Sequence, residues 1–115
     1  MRCGTNWTSS VRGDVYRLKK PRSAQGPEQQ GERYGVVVQA SAYDQLSAWL
    51  VAPTTTKSFD SMIHPTIELF GTDVRVLVEQ TTAVAPQRLG DLVGRLSPEE
   101  LMEVNVALRA ILDLQ

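Results

Sequence analysis

Short apolar runs separated by polar links make up most of the chain, which is the pattern of a small strand-rich domain. The apolar positions at Asp14–Leu18 predict a first strand. Residues 34–39 contain three consecutive valines, which is typical of a strand buried on both faces. Residues 48–52 predict a further strand, which we expect Pro53 to close because proline cannot donate to a sheet.

The next part of the chain predicts a hairpin and one more strand. Residues 66–70 and 75–79 are rich in β-branched and aliphatic side chains. The segment 71–73 between them is typical of a three-residue hairpin loop. After a connector at 85–89, the residues 92–96 favour another short strand.

The end of the chain has the signature of a capped helix. Ser97 suits the N-cap, Pro98 suits the first helical position, and Glu100 can reach back to the cap, so we expect a helix to about Leu112. Several strands and one terminal helix predict a mainly β chain of the α+β class, folded as a partly open barrel or a sandwich. The apolar stripe expected to pack on the sheet is Leu101, Val104, Leu108, Ile111 and Leu112.

Length and composition indicate one globular domain. The 115 residues are 42% hydrophobic and 22% charged, which is ordinary for a folded domain of this size. We expect residues 1–11 to be a disordered lead and residues 12–115 to form a single domain. No signal peptide and no apolar run of about 20 residues is present, so we expect a cytoplasmic protein that does not enter a membrane.

Charge is unevenly distributed along the chain. The net charge is −1 overall, but residues 12–33 hold six basic and three acidic side chains, whereas residues 87–115 hold three basic and five acidic ones. The first segment therefore has a net charge of +3 and the second of −2. One part of the surface can face phosphates while the other stays acidic.

Several kinds of catalytic site are excluded by residue type. Cys3 is the only cysteine and His64 the only histidine, so neither a thiolate metal site nor a two-histidine acid–base mechanism is available. The acids have no spacing of a metal site, and no phosphate-binding glycine loop or serine-hydrolase motif occurs. Tyr16 and Trp49 lie within predicted strands, where aromatic side chains usually belong to the core.

The remaining chemistry favours phosphate binding. A long loop rich in glycine and proline, residues 19–33, ends in Arg33 at the start of a buried strand. Residues 54–56 are three consecutive threonines just after another strand. Guanidinium and hydroxyl groups both donate to phosphate oxygens.

Five segments resemble, in order and spacing, those of the MazF/PemK family of toxins. They are an R-G-D-V-Y start at 12–16, a G-x-E-x-x-G-x-R loop at 26–33, a V-x-P-x-T-[ST] strand end at 51–56, an acidic-Gln strand at 76–80, and a final strand and helix at 94–101. No single motif is specific, but the set covers nearly the whole chain after residue 11. The resemblance implies a small SH3-like β-barrel of the CcdB–MazF type.

The resemblance also implies an activity and partners. The family members are toxins of type II toxin–antitoxin systems, endoribonucleases that cut single-stranded RNA and so inhibit translation and growth. The RNA's own 2′-hydroxyl attacks the adjacent phosphate, leaving a cyclic phosphate and a 5′-hydroxyl, and no metal or other cofactor is needed. The implied partners are single-stranded RNA, a cognate antitoxin protein and a second copy of the chain in a homodimer.

Site residues follow from the same resemblance. Arg33 takes the position of the family's catalytic arginine, which stabilises the charge that develops on the phosphorane. Thr55 takes the position of the catalytic threonine, which holds a phosphate oxygen, and Thr56, which matches the Ser/Thr that follows, could serve instead. The residues expected to bind RNA around them are Glu28, Gln29, Thr56 and Gln80.

The general base stays open, and two positions depart from the family pattern. Arg33 titrates too high to be an easy base, and the sequence assigns the role to neither Glu28 nor Glu79. Tyr34 stands where members usually carry proline after the loop arginine, so the backbone there is less restricted. Thr81 stands where many carry arginine, so one cation that could hold RNA is missing.

Two other functions are compatible with this pattern. One is a CcdB-like toxin that binds a protein such as a DNA topoisomerase and has no nuclease activity. The other is an inactive relative that only binds its antitoxin and regulates expression. Retention of both Arg33 and Thr55 argues against the first, and the departures at Tyr34 and Thr81 keep the second open.

Overall fold

Seven strands and one α-helix make up the fold in the computed structural model, which describes residues 11–19, 33–57 and 61–114. The predicted disordered lead falls almost wholly outside the described residues. No helix within the described ranges is long and apolar enough to cross a membrane. The elements are β1 (Asp14–Leu18), β2 (Arg33–Val37), β3 (Trp49–Thr55), β4 (Thr66–Leu69), β5 (Thr72–Val76), β6 (Thr82–Val84), β7 (Leu89–Arg95) and α1 (Pro98–Leu112).

The strands form one antiparallel sheet that curls into a half-barrel. Its order is β4-β5-β3-β2-β1-β7, and β6 pairs with the first half of β3. The helix α1 contacts the short 3-10 turn Val78–Gln80 that follows β5. The prediction of a mainly β fold with a C-terminal helix is confirmed.

Two apolar clusters lie on opposite faces of this sheet, because successive side chains of a strand point to opposite sides. The larger cluster includes Val36, Ala52 and Val76 and takes in Val104 and Ala107 of α1. The smaller cluster lies on the other face, and its buried members are Tyr16, Val37, Trp49, Val51 and Leu89. The core role predicted for Tyr16 and Trp49 is thus confirmed, and their rings are tilted against each other at 6.0 Å.

An ion pair between a buried carboxylate and an exposed arginine joins the two strands at one edge of the sheet. The carboxylate of Asp14, 3% exposed, accepts from Nε of Arg95 at 2.7 Å and from the backbone N–H of Val11 at 3.0 Å. Burial raises the pKa of Tyr16, and the charge of Asp14 raises it further while Arg95 opposes it. The Tyr16 phenol therefore stays protonated well into the alkaline range.

Pro53 does not close β3, contrary to the sequence prediction, because the strand continues to Thr55. The N–H of Val38 donates to the carbonyl of Leu50 at 3.0 Å, so alternate residues of β3 face β2, and Pro53 faces the other edge. There its carbonyl accepts from the N–H of Leu77 at 2.8 Å. Pro53 lies where β3 changes its partner on that edge from β6 to β5, so its missing N–H breaks no ladder.

The predicted hairpin exists, but its loop is shorter and its second strand ends earlier. The turn is Phe70 and Gly71, both with positive φ (56° and 77°), as in a two-residue type I′ turn. The predicted strand at 75–79 ends at Val76, and the chain then forms the turn Val78–Gln80 and the strand β6, which the sequence pattern did not predict.

The capped helix is confirmed, with a narrower packed stripe than predicted. The hydroxyl of Ser97 accepts from the N–H of Glu100 at 3.1 Å, and the Glu100 carboxylate accepts from the N–H of Ser97 at 2.9 Å. The second Glu100 oxygen accepts from the N–H of Glu68 in β4 at 2.8 Å, which ties the helix start to the sheet. Ile111 and Leu112 do not join the core cluster on the sheet and are 40% and 59% exposed.

Gly35 should tolerate no side chain, because a Cβ there would overlap the Cγ1 of Val51 and crowd the Leu18 side chain. We expect Gly35→Ala to lower the free energy of unfolding by about 1–3 kcal/mol, the usual range for overpacking a core. Gly94→Ala is the matched control, since a Cβ there would meet only Leu69 at an ordinary 3.6 Å. Urea unfolding would measure both, and equal stability of the two variants would contradict the close fit at Gly35.

Candidate functional site

Arg33 and Thr55 lie at the ends of neighbouring strands. In the antiparallel register of β2 and β3, the last pair at this end is Gly35 with Pro53. Arg33 and Thr55 lie two residues beyond that pair, and the hydrogen bond from the Thr54 hydroxyl to the carbonyl of Tyr34 at 3.3 Å keeps the two strand ends close. Both side chains point to the face that does not carry the helix, where Arg33 is exposed and Thr55 is half-buried. The pairing implied by the family resemblance is thus compatible with the fold.

The three consecutive threonines have three different environments. The oxygen of the Thr55 hydroxyl accepts from the N–H of Lys57 at 3.1 Å, which leaves its hydrogen to donate to another acceptor. The Thr54 hydroxyl donates to the carbonyl of Tyr34 at 3.3 Å, on the opposite face of β3. Thr56 is exposed and lies beyond the end of β3. Of the three, Thr55 shares a face with the predicted catalytic arginine.

Arg75 of β5 forms a row with Arg33 and Thr55 on this face of the sheet, although it is not among the site residues predicted from the sequence. Its Cα partner on β3 is Thr55, so the two side chains share a face. The sequence does contain a signal for Arg75, because it is a basic residue between Val74 and Val76. Strand alternation places these two valines in the core and the residue between them on the other face.

A cavity of about 550 Å³ opens beside Arg33 on the same face. Lys19, Arg33 and Arg88 contribute three cations to its lining, and Gln80 contributes an amide. None of the described residues that line it is acidic. Most of the remaining lining is apolar and comes from Leu18, Val51, Pro53, Val84 and Ala85. Of the predicted site residues, Arg33 and Gln80 therefore meet at this cavity, and Thr55 lies beside it in the row.

The turn that carries Gln80 is held on both sides. Nε2 of His64 lies 3.1 Å from both carboxylate oxygens of Glu79, and the Thr81 hydroxyl donates to the carbonyl of Val78 at 2.7 Å. Val78 itself is buried. Thr81, which departs from the family pattern, thus closes the turn, and His64 engages one of the acids considered as a general base.

The far side of the cavity is also basic, at the ends of β1 and β7. Nζ of Lys19 donates to the carbonyl of Gln87 at 3.0 Å, and the Lys19 N–H donates to the carbonyl of Arg88 at 3.2 Å. These bonds fix the Lys19 ammonium group near the Arg88 strand end. The three cations of the cavity lining, Lys19, Arg33 and Arg88, therefore come from three separate segments of the chain.

The other predicted positions are either undescribed or turned away. Glu28 and Gln29 lie outside the described residues. Tyr34, which replaces the family's proline, points to the helix side and meets the ring of Phe70 edge-on at 5.8 Å. The substitution therefore places an aromatic side chain behind Arg33, on the opposite face of the sheet.

A guanidinium and a hydroxyl donor on one face can hold a phosphate group between them. Among the described residues, no three His, Cys, Asp or Glu side chains lie close enough to share a metal ion. The groups that the site offers a ligand are mainly cations and neutral hydrogen-bond donors.

Comparisons with known proteins agree with this description. Residues 11–112 match the family model of PemK-like, MazF-like toxins of type II toxin–antitoxin systems. A candidate toxin of Mycobacterium tuberculosis is 32% identical over 105 residues, which are 90% of this chain and 98% of that protein.

Solved structures share the fold at low sequence identity. A mycobacterial endoribonuclease, solved in complex with its cognate antitoxin, has a TM-score of 0.76 and 20% identity over 93% of this chain and 98% of its own. MazF from Deinococcus radiodurans has a TM-score of 0.71 and 20% identity over 91% of this chain and 97% of its own.

The contact between His64 and Glu79 should contribute to stability. Glu79→Ala and His64→Ala should each lower the free energy of unfolding by about 1 kcal/mol, because each leaves a partly buried polar partner. The double variant should lose at least about 0.5 kcal/mol less than the sum, since the two residues share one contact. Chemical unfolding of the four proteins measures this coupling, and strictly additive losses would show that the contact contributes nothing.

Proposed function

Because this chain belongs to the family of PemK-like, MazF-like toxins of type II toxin–antitoxin systems, we propose that it is an endoribonuclease that cuts single-stranded RNA. The observation that carries the proposal is the cavity lined by Lys19, Arg33 and Arg88, beside the end of β3 where Thr55 lies on the same face. Structural neighbours described as endoribonucleases support it.

The reaction proposed is an internal transfer within the RNA. The 2′-hydroxyl oxygen attacks the adjacent phosphorus, and the bond from phosphorus to the 5′-oxygen breaks. The 2′-hydroxyl gives up its proton to a base, and the departing 5′-oxygen takes up one proton from an acid or water, so the products are a 2′,3′-cyclic phosphate and a 5′-hydroxyl with no net change in protons. The described residues identify neither the base nor the acid. Neither a metal ion nor a protein nucleophile takes part.

Arg33 and Thr55 act on the charge that builds up at phosphorus. The Arg33 guanidinium donates to the non-bridging oxygens as they gain negative charge, and it stays protonated throughout. The Thr55 hydroxyl donates its hydrogen to one of these oxygens while its own oxygen is held by the N–H of Lys57. Both donors belong to strands of one sheet, β2 and β3, so the backbone that carries them is held in place before the reaction.

The cavity beside Arg33 suits the nucleotides next to the cleaved bond. Lys19 and Arg88 attract the phosphates, and the apolar lining accepts the face of a base. Gln80 offers both a donor and an acceptor to a base edge. Glu28, Gln29 and Thr56 remain proposed RNA contacts, the first two from the loop before Arg33.

The proposed partners are a cognate antitoxin and a second copy of the chain. A structural neighbour was solved with its cognate antitoxin, which supports an antitoxin as a partner of this chain as well. Exposed apolar side chains on and beside α1, among them Met62, Met102 and Val106, offer a surface for a homodimer. We place the protein in the cytoplasm, where its RNA substrates are.

Cleavage of a long single-stranded RNA in excess EDTA tests the proposal. The wild type should produce discrete fragments whose cyclic phosphate ends are visible by mass spectrometry. Arg33→Ala and Thr55→Val should each reduce the cleavage rate by about 10²–10³-fold, because each removes a donor to the developing charge. Arg109→Ala, an exposed cation on α1, is the matched control and should cleave like the wild type.

Three results would count against the proposal. RNA left intact by folded wild-type protein would favour a CcdB-like or regulatory role. Cleavage that stops in EDTA would show that a metal is required. Cleavage that survives in Arg33→Ala would exclude the assigned role of that residue.

A further inference from the structure

We propose that Arg75 is a second phosphate-binding arginine, which holds the RNA on the β5 side of Thr55. The inference rests on the proposed ribonuclease function and adds a residue that the family resemblance does not supply. It assigns Arg75 to binding of the RNA strand and not to the bond that breaks.

Arg75 lies beside Thr55 in the sheet. Thr55 of β3 pairs directly with Arg75 of β5, and the next pair along is Thr54 with Val76. Val74 and Val76 are buried in the cluster on the helix side. By alternation, Arg75 points to the opposite face, which is the face of Arg33 and Thr55.

Arg33 and Arg75 lie on the two strands that flank β3, on either side of Thr55. Arg75 is paired directly with Thr55, and Arg33 lies two residues beyond the last pair of β2 and β3 on the same face. Arginine side chains are long enough to reach towards Thr55 from either strand. A phosphate held at Thr55 therefore has one guanidinium on each side, and a strand of RNA laid across β2, β3 and β5 meets both.

The direct cross-strand neighbours of Arg75 are neutral hydroxyl side chains, Thr55 on β3 and Thr66 on β4. The carboxylates of Glu68 and Asp73 come one pair further along the same face, away from Thr55. Arg75 is also half-buried, and a charge partly removed from water interacts more strongly with an anion than an exposed one does. A guanidinium has five N–H donors and can serve one partner while binding a phosphate.

Arg75 extends the basic surface to the β5 side of Thr55. Lys19 and Arg88 lie on the β1–β7 side of Arg33, and Arg75 lies on the β5 side of Thr55. The cations therefore continue on both sides of the proposed cleavage position. An RNA that entered from either direction would have a phosphate contact before and after the bond to be cut.

The role in binding predicts which measured quantities change. Arg75→Ala should raise Kd and KM for RNA by about tenfold, the usual effect of losing one charge-assisted hydrogen bond. It should leave kcat within about threefold of the wild type. The slope of log Kobs against log salt should become shallower by about 0.7, the value for one phosphate contact on a single strand.

The experiment measures binding to an uncleavable RNA that carries a 2′-deoxynucleotide at the cleaved position, over a series of salt concentrations. Arg75→Lys keeps the charge and should keep the slope, whereas Arg75→Gln keeps much of the length and should lose it. Arg109→Ala is the control for removing a cation elsewhere. Thermal unfolding shows whether each variant is folded, and Arg75→Gln replaces Arg75→Ala if the alanine variant is not.

The outcomes separate this inference from the proposed function. A wild type that binds and cleaves RNA, beside a folded Arg75→Gln with unchanged slope and KM, would overturn the role of Arg75 alone. A wild type that neither binds nor cleaves RNA would overturn the proposed function and this inference with it. A loss of kcat without any change in the salt slope would also reject a binding role.

Discussion

The change of partner along β3 is the constraint on which the site depends. One edge of β3 pairs with β2, while the other pairs first with β6 and then with β5. The chain between β5 and β6 must therefore cross beside Pro53, where β3 has no N–H to offer. That crossing contains the turn Val78–Gln80 and brings Gln80 to the cavity where Arg33 lies. Pro53 would interrupt the hydrogen bonds of a strand pair that ran along the whole edge, but it lies where β3 changes its partner from β6 to β5.

Alternation along the strands separates stability from chemistry. One face of the half-barrel holds the larger apolar cluster and the helix, so most of the burial that stabilises the fold lies there. The other face has the smaller cluster, and where its strands end the apolar side chains give way to Arg33, Thr55 and Arg75. Gly35 lies two residues from Arg33 on β2, between the smaller cluster and this polar end. Its missing side chain leaves room for the side chain of Val51. Polar groups can occupy this end because few apolar contacts are lost there.

The two departures from the family pattern have local explanations that leave the arginine and threonine in place. Tyr34 packs edge-on against Phe70 behind the sheet, so it does not enter the face of Arg33. The hydroxyl of Thr81 closes the turn Val78–Gln80. Neither contact displaces the Arg33–Thr55 row. The structure thus gives no physical reason for an inactive relative, and a toxin that only bound a protein would have no use for that row.

The sequence by itself determined the elements whose signals are local, which are the strand Asp14–Leu18 and the capped helix from Ser97. Arg33 and Thr55 became candidates through the family resemblance. Strand periods and caps depend on neighbouring residues, so a single chain reveals them. Only the tertiary structure decided that Pro53 lies inside β3, that residues 82–84 form a strand and that Arg75 lies beside Thr55. Each of these depends on which distant strand lies alongside, and that choice is made by long-range pairing and burial, which no local pattern encodes.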